Sequence, residues 1–264
     1  MKTRLLIAAS LIGASFAIAS GLTSCSNDSA LAVGSASIRS IEIGTSLKTS
    51  EKAFSFVEDK DSFYLTKSVS VEWPVKVGAA NLTPLQDSIL AIAFDKPALT
   101  VIDEAITSYL DDYSTVAETA TEIKPAQVPL STRAYTSNIS VKTLETTPLY
   151  LSTQIASSEY LGGAHPNTVI RPLTIALDSA KVITVDNLFK PSALEHVKAL
   201  VKENLGRQLN VSGENLTDAG LFTNDIPLSQ SVYIINSTIV FHYGQYEIGP
   251  YSMGMFDVDV YPYT

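Results

Sequence analysis

Apolar residues alternate with polar ones in stretch after stretch of this chain, and that two-residue period constrains the fold more than any other feature. Ile41 and Ile43, Phe54 and Phe56, and Val69, Val71 and Trp73 alternate, the last run ending at Pro74. Successive side chains of a strand point to opposite faces, so each run predicts a strand with one buried side. Tyr135, Ile139 and Val141 alternate next, then Leu149, Leu151 and Ile155 across a break at Pro148, which predicts two antiparallel neighbours. Further strands are predicted over Ile170–Leu177, over Val182–Val185 after a turn at Asp178–Lys181, over Val232–Ile235, over Thr238–Tyr243 after a turn at Asn236-Ser237, and over Phe256–Val260.

Three stretches change to the helical period. Thr83-Pro84-Leu85-Gln86 predicts a Thr N-cap, Pro in the first turn and Gln in the capping-box position, followed by Leu85, Ile89 and Ile92 on one stripe. A second stripe joins Leu99, Ile102, Ile106, Tyr109, Leu110 and Tyr113, with Asp103 and Glu104 early, where they favour the positive end of the helix dipole. Ser192 and Glu195 have capping-box spacing before Leu194, Val197, Val201 and Leu205, which predicts a helix over 192–209. Strands and helices mix without a strict β-α-β rhythm. The fold class is therefore α+β: a mainly antiparallel sheet with helices packed on one face, in two closely associated halves. Residues 117–134, with Pro125 and Pro129 and little periodicity, read as the connector between a half at 38–116 and a half at 135–264.

Residues 1–24 set the compartment. Lys2 and Arg4 form a basic head, Leu5 to Ile18 is apolar, and Leu22-Thr23-Ser24-Cys25 closes the segment as a bacterial lipobox does, with Cys25 as the acylated first residue of the mature chain. Anchoring to a membrane through lipid on Cys25 in the bacterial cell envelope follows, with 25–37 as a small, polar tether. Cys25 is the single cysteine, so neither an internal disulfide nor thiol chemistry elsewhere is possible. Removing Lys2 and Arg4 with no acidic residue takes the formal charge from −9 to −11. Nucleic acid and anionic lipid surfaces are poor partners for that balance, whereas a basic partner is steered towards it.

Two stretches stand out from the scaffold. Tyr160 to Asn167 (YLGGAHPN) sets Gly162 and Gly163 beside His165 and Pro166, a shaped loop in which the glycines supply unusual backbone angles and Pro166 extends His165. The other, Tyr243 to Gly254, holds Tyr243, Tyr246 and Tyr251 among glycines, a composition suited either to recognising proteins or sugars or to a packed corner. His165, His196 and His242 lack metal-ligand spacing, so no metal and no cofactor are expected. His196 and His242 read as surface or structural residues. His165 reads first as a pin for its loop; neither a nucleophile elbow nor a carboxylate at fixed offset accompanies it for hydrolysis.

Tyr160 to Asn167, Val185-Asp186-Asn187-Leu188-Phe189, and Tyr246-Glu247-Ile248-Gly249-Pro250-Tyr251 with Gly254 occur in the order and spacing of a known family. Over 135–264 the chain resembles the extracytoplasmic RsiV-like domain of unknown function. Over 38–116 it resembles more weakly, through strand-helix order and Trp73-Pro74, the partner domain found in front of the PdaC polysaccharide deacetylase. It departs from the family at Ser179-Ala180-Lys181, where Thr-Gly-Lys is usual, and at Gly249, where Ala is common. The resemblance implies a lysozyme-sensing type of outer domain; sigma-factor control is not expected with only Met1 to Arg4 ahead of the apolar segment, nor a deacetylase domain with the sequence ending at Thr264. The expectation is a non-enzymatic envelope lipoprotein that binds a protein such as lysozyme, or a cell-wall glycan, through Tyr160, Gly162, Gly163, His165, Asn167, Tyr246, Glu247 and Tyr251. The alternatives are a hydrolase or deacetylase using His165, and a purely structural lipoprotein.

Overall fold

The computed structural model of the chain describes residues 43–58, 61–112, 114 and 134–260. The signal segment, Cys25, the tether to residue 37, Ile41, Tyr113 and residues 117–133 of the connector lie outside the described residues.

The fold class is α+β, and the strands form two sheets rather than one. Strands β1 (Ile43–Glu58), β2 (Asp61–Val77), β3 (Ala134–Thr146), β4 (Tyr150–Tyr160), β5 (Asn167–Ala176) and β6 (Lys181–Val182) make a six-stranded sheet in sequential order. Every neighbouring pair in it is antiparallel except β2 and β3, which run parallel with Val69 opposite Ile139 and Val71 opposite Val141. A parallel pair needs a crossover between its strands, and the crossover here carries helices α1 (Thr83–Phe94) and α2 (Ile102–Asp111). Strands β7 (Val232–Ile235), β8 (Thr238–Tyr243) and β9 (Phe256–Val260) form an antiparallel three-stranded sheet. A single helical turn, α3 (Val185–Leu188), and the longer α4 (Leu194–Leu209) precede it.

The two sheets have separate cores. Val69, Val71, Ile139, Val141, Leu151, Ile155 and Ile175 bury one face of the six-stranded sheet under Leu85, Ile89 and Leu90 of α1 and Ile102, Ala105, Ile106 and Leu110 of α2. Each fully buried large aliphatic contributes about 1.5–3 kcal/mol relative to exposure. Val197, Val201 and Leu205 of α4 cover Val232, Phe241, Tyr243, Val258 and Val260 on one face of the small sheet. β1 and β2 precede residues 117–133 and β3 to β6 follow them, so one sheet takes strands from both halves.

The sheets meet through polar side chains. Thr174 and Ser152, both fully buried, hydrogen-bond to each other at 2.8 Å. Thr174 Oγ1 accepts from the Ile234 N–H at 3.0 Å, and Ser152 Oγ donates to the Ile234 carbonyl at 2.5 Å. The exposed backbone edge of β7 is thereby paired without another strand. Glu145 accepts from the Asn236 N–H and from the Tyr150 hydroxyl, closing the same seam at the β7–β8 turn.

Local details depart from the sequence reading for identifiable reasons. Thr83 does not cap α1: Asn81 accepts its N–H at 3.1 Å, and Gln86 spends its amide on the Pro74 carbonyl at 2.7 Å instead of closing a capping box. Ile92 faces outward at 42% exposure because Leu90 and Phe94 complete the buried stripe. Leu99 precedes α2 with a left-handed backbone (φ 63°) and is 80% exposed, and Leu149 sits in the turn before β4 at 71% exposure. Ser192 and Glu195 do not form a box either, since Pro191–Ala193 is a 3₁₀ turn that runs into α4. The side chain that closes a helix start lies at Asn187, which accepts the Thr184 N–H at 2.8 Å and donates to the Val182 carbonyl.

Candidate functional site

The loop at 160–167 links β4 to β5, and the tyrosine-rich loop leads out of β8. Gly162 (φ 87°) and Gly163 (φ 100°) turn the first loop through backbone angles that side chains rarely adopt, and the Tyr160 hydroxyl donates to the Gly163 carbonyl at 3.1 Å. The tip carrying His165 and Pro166 is exposed. In the second loop, Glu247 accepts the Gly244 N–H at 2.7 Å, so its carboxylate braces its own turn. That turn holds Tyr246 in the left-handed region (φ 61°) with its side chain 55% exposed.

The two loops touch. The His165 imidazole stacks on the Tyr251 ring at 3.6 Å between centroids and 15° between planes, and Tyr246 lies 5.7 Å from Tyr251. Pro166 O receives two donors, His165 Nδ1 at 3.1 Å and the Tyr251 hydroxyl at 3.2 Å. A carbonyl only accepts, so Nδ1 carries a proton, and Nε2 is hydrogen-bonded with the Tyr246 hydroxyl at 3.2 Å. Gln245 Oε1 adds a long bond from the Thr168 N–H at 3.4 Å. The result is a surface platform of one imidazole and two phenol rings, His165 and Tyr246 exposed and Tyr251 half-buried, crosslinked between loops.

This geometry suits contact better than reaction. Both His165 nitrogens are engaged, and neither bonds a carboxylate among the described residues. A general base needs one nitrogen open to the substrate and a partner that orients the other. The rings supply flat, amphipathic faces held at little conformational cost, with hydroxyl groups at the edge. Of the residues anticipated from sequence, His165, Tyr246 and Tyr251 form the platform. Tyr160, Gly162, Gly163 and Glu247 shape its loops, and Asn167 opens β5 opposite Glu159, exposed and outside the ring contacts.

Gln245 and the carbonyl of Pro166 were not legible as site groups, because each acts through a contact whose partner is far away in sequence. Phe222 is another: its N–H donates to the Ile248 carbonyl at 3.0 Å, tying its backbone to the tyrosine loop, and its side chain is 57% exposed. His242 lies apart from the platform. It is buried in β8, with Nδ1 2.8 Å from Oδ1 of Asp257, its opposite number on β9.

Two solved structures share this fold. A DUF3298 family protein from Bacteroides fragilis superposes with a TM-score of 0.61 at 22% identity, over 83% of this chain and 92% of that one. A DUF3298 family protein from Pseudomonas aeruginosa gives 0.56 at 14% identity, over 83% and 90%. Residues 186–263 match the DUF3298 family itself, described as a protein of unknown function. That stretch, and not the whole chain, is similar to the DUF3298 family. Tyr246, Glu247 and Tyr251 lie inside the DUF3298 match, whereas the YLGGAHPN loop lies before it. The platform is therefore built by the matched segment together with the β4–β5 loop of the large sheet. A curated protein, Esterase Rv3036c of Mycobacterium tuberculosis, is 31% identical over 96 residues, 36% of this chain and 41% of that protein. The chain thus spans about two-fifths of the length of that relative.

Proposed function

We propose that this protein is a non-enzymatic, lipid-anchored binding module of the bacterial cell envelope, whose His165–Tyr246–Tyr251 platform docks a basic protein, with lysozyme its sharpest form. The single observation that carries this reading is the platform. The exposed rings of His165 and Tyr246 and the half-buried ring of Tyr251 are stacked or hydrogen-bonded to one another and belong to neither core. Rigid aromatic anchors at exposed loop tips are the residues that dominate protein interfaces. A chain of formal charge −9, or −11 once the signal segment is removed, steers a basic partner and repels an acidic one. Anchoring through Cys25, and a PdaC-type partner domain over 38–116, belong to the same proposal and rest on the lipobox and the resemblance.

Titration of the protein with lysozyme at low and moderate salt tests the reading. Saturable binding that weakens with salt and is lost in Tyr251→Ala supports it. Binding to soluble peptidoglycan fragments in place of lysozyme, lost in the same variant, moves the proposal from a protein to a cell-wall glycan. Absence of both removes it.

The likeness to Esterase Rv3036c favours a second reading, hydrolysis. Hydrolysis of p-nitrophenyl acetate tests it: turnover abolished by His165→Ala supports an acid-base role for His165, and no turnover above buffer dismisses it.

A further inference from the structure

A cavity lies between the sheets, lined by none of the platform residues. The face of the small sheet opposite its core carries Tyr233, Val240, His242 and Asp257, and it packs on the polar face of the six-stranded sheet. Between them is a cavity of about 80 Å³. Its apolar walls are Leu144, Ile170 and Pro172 from the large sheet and Ile235 from the small one, and its polar groups are Gln154, Tyr233, His242 and Asp257. Apolar walls with a few convergent polar groups are the composition of a small-molecule site.

One atom gives the cavity its chemistry. His242 is 3% exposed, and its Nδ1 donates to Asp257, because an ionised carboxylate only accepts. With Nδ1 so engaged, Nε2 is left to face the cavity, where a hydroxyl, which both donates and accepts, can meet it. Nε2 is the one buried side-chain nitrogen or oxygen without a hydrogen-bond partner among the described residues. Buried polar atoms are nearly always partnered, so an orphan at a cavity wall points to a missing partner. The Tyr233 hydroxyl stays protonated, its pKa raised by burial and by the charges of Asp257 and Asp259. The Gln154 carboxamide offers both a donor and an acceptor.

We propose that this cavity binds a small neutral polyol, one hydroxyl hydrogen-bonded to His242 Nε2, others meeting Gln154 and Tyr233, and the carbon chain lying against Leu144, Ile170, Pro172 and Ile235. A single water needs roughly 10–15 Å³ of such space, so a cavity of about 80 Å³ has room for a molecule larger than water, of glycerol size. An anion is disfavoured by Asp257, and a hydrocarbon leaves Nε2 unpaired. Because the walls come from both sheets, the occupant bridges them.

The test follows the His242 imidazole signals by NMR on the full chain during titration with glycerol, with n-propanol as the single-hydroxyl comparison. The proposal predicts a saturable shift with glycerol, roughly tenfold weaker for n-propanol and for Gln154→Leu, each of which loses hydrogen bonds. Ile170→Phe, which fills the cavity, abolishes the shift; if it fails to fold, Gln154→Leu carries the test alone. A linear, unsaturated response in the wild type contradicts the proposal and leaves ordered water as the partner of Nε2. An unchanged titration in a folded variant contradicts it too.

Discussion

The imidazole of His165 lies flat on the ring of Tyr251, 3.6 Å between centroids, although one sits between β4 and β5 and the other precedes β9. Both also bond the same carbonyl, that of Pro166. An aromatic pair of this kind contributes about 0.5–1.5 kcal/mol beyond the area it buries. Tyr251→Leu is therefore expected to lower the melting temperature by only a few degrees while removing binding. A calorimetric scan beside a binding titration separates the two effects.

Tyr246 occupies a left-handed backbone position (φ 61°), which costs a residue with a side chain about 1–2 kcal/mol. Its one hydrogen bond, to His165, and its ring contacts return part of that. Tyr246→Gly removes strain and contacts together, so stability should stay level or rise slightly as partner binding falls. A substantially lowered melting temperature would show that the ring serves to hold the fold.

Gly162 and Gly163 have φ values of 87° and 100°, and a Cβ on Gly163 would meet nothing within 4 Å. Any penalty at Gly163 therefore comes from the backbone alone. Gly162→Val and Gly163→Val are expected to cost about 1–3 kcal/mol each, and Gly163→Asn clearly less. Urea unfolding of the three variants checks the order.

Gly206 on α4 faces the turn after the helix, where an added Cβ would come within 2.7 Å of Gly213 N and 2.8 Å of Val211 O. Backbone cannot step aside as a flexible side chain can. Gly206→Ala should lose about 1–3 kcal/mol, although Ala is the better helix former. A stabilised variant would mean that propensity outweighs this close approach.

Burial raises the pKa of Tyr233 and Tyr243 above the usual tyrosine value of 10.0, and the Tyr243 hydroxyl donates to the Pro227 carbonyl at 2.9 Å. The folded form keeps both protons where the unfolded chain has begun to lose them. Stability from these groups is complete below pH 10 and falls above it, by about 1.4 kcal/mol per pH unit for each tyrosine. Lys67, over the Tyr109 ring with its ammonium donating to the Asp112 carbonyl, has its pKa lowered by burial and acts in the opposite sense below 10.5. Melting temperatures from pH 8 to 11.5 should drop steeply past pH 10, and a flat profile would contradict the burial of these hydroxyls.

Periodicity made the strands and helices readable because it reports local geometry. Val69, Val71, Val141, Leu151 and Ile155 fall on the buried face that their alternation requires. Contacts set by pairing were out of reach. Nothing local distinguishes Asp257 from other carboxylates until β8 and β9 align and set it opposite His242. The division into two sheets was hidden for the same reason, since the Ser152 and Thr174 hydroxyls that bond β7 look like any solvated strand face. Capping was overread at Thr83 and Ser192, where spacing alone does not show that Gln86 has a nearer partner or that Pro191 begins a 3₁₀ turn. Both platform loops were visible as unusual composition, but their stacking required the fold.

The most direct measurement is a binding titration of lysozyme against the wild-type protein and Tyr251→Ala, with the variant's folding verified by its melting curve. The account predicts salt-sensitive binding to the wild type and none to a folded Tyr251→Ala. Equal binding by both would contradict the assignment of the His165–Tyr246–Tyr251 platform as the docking surface.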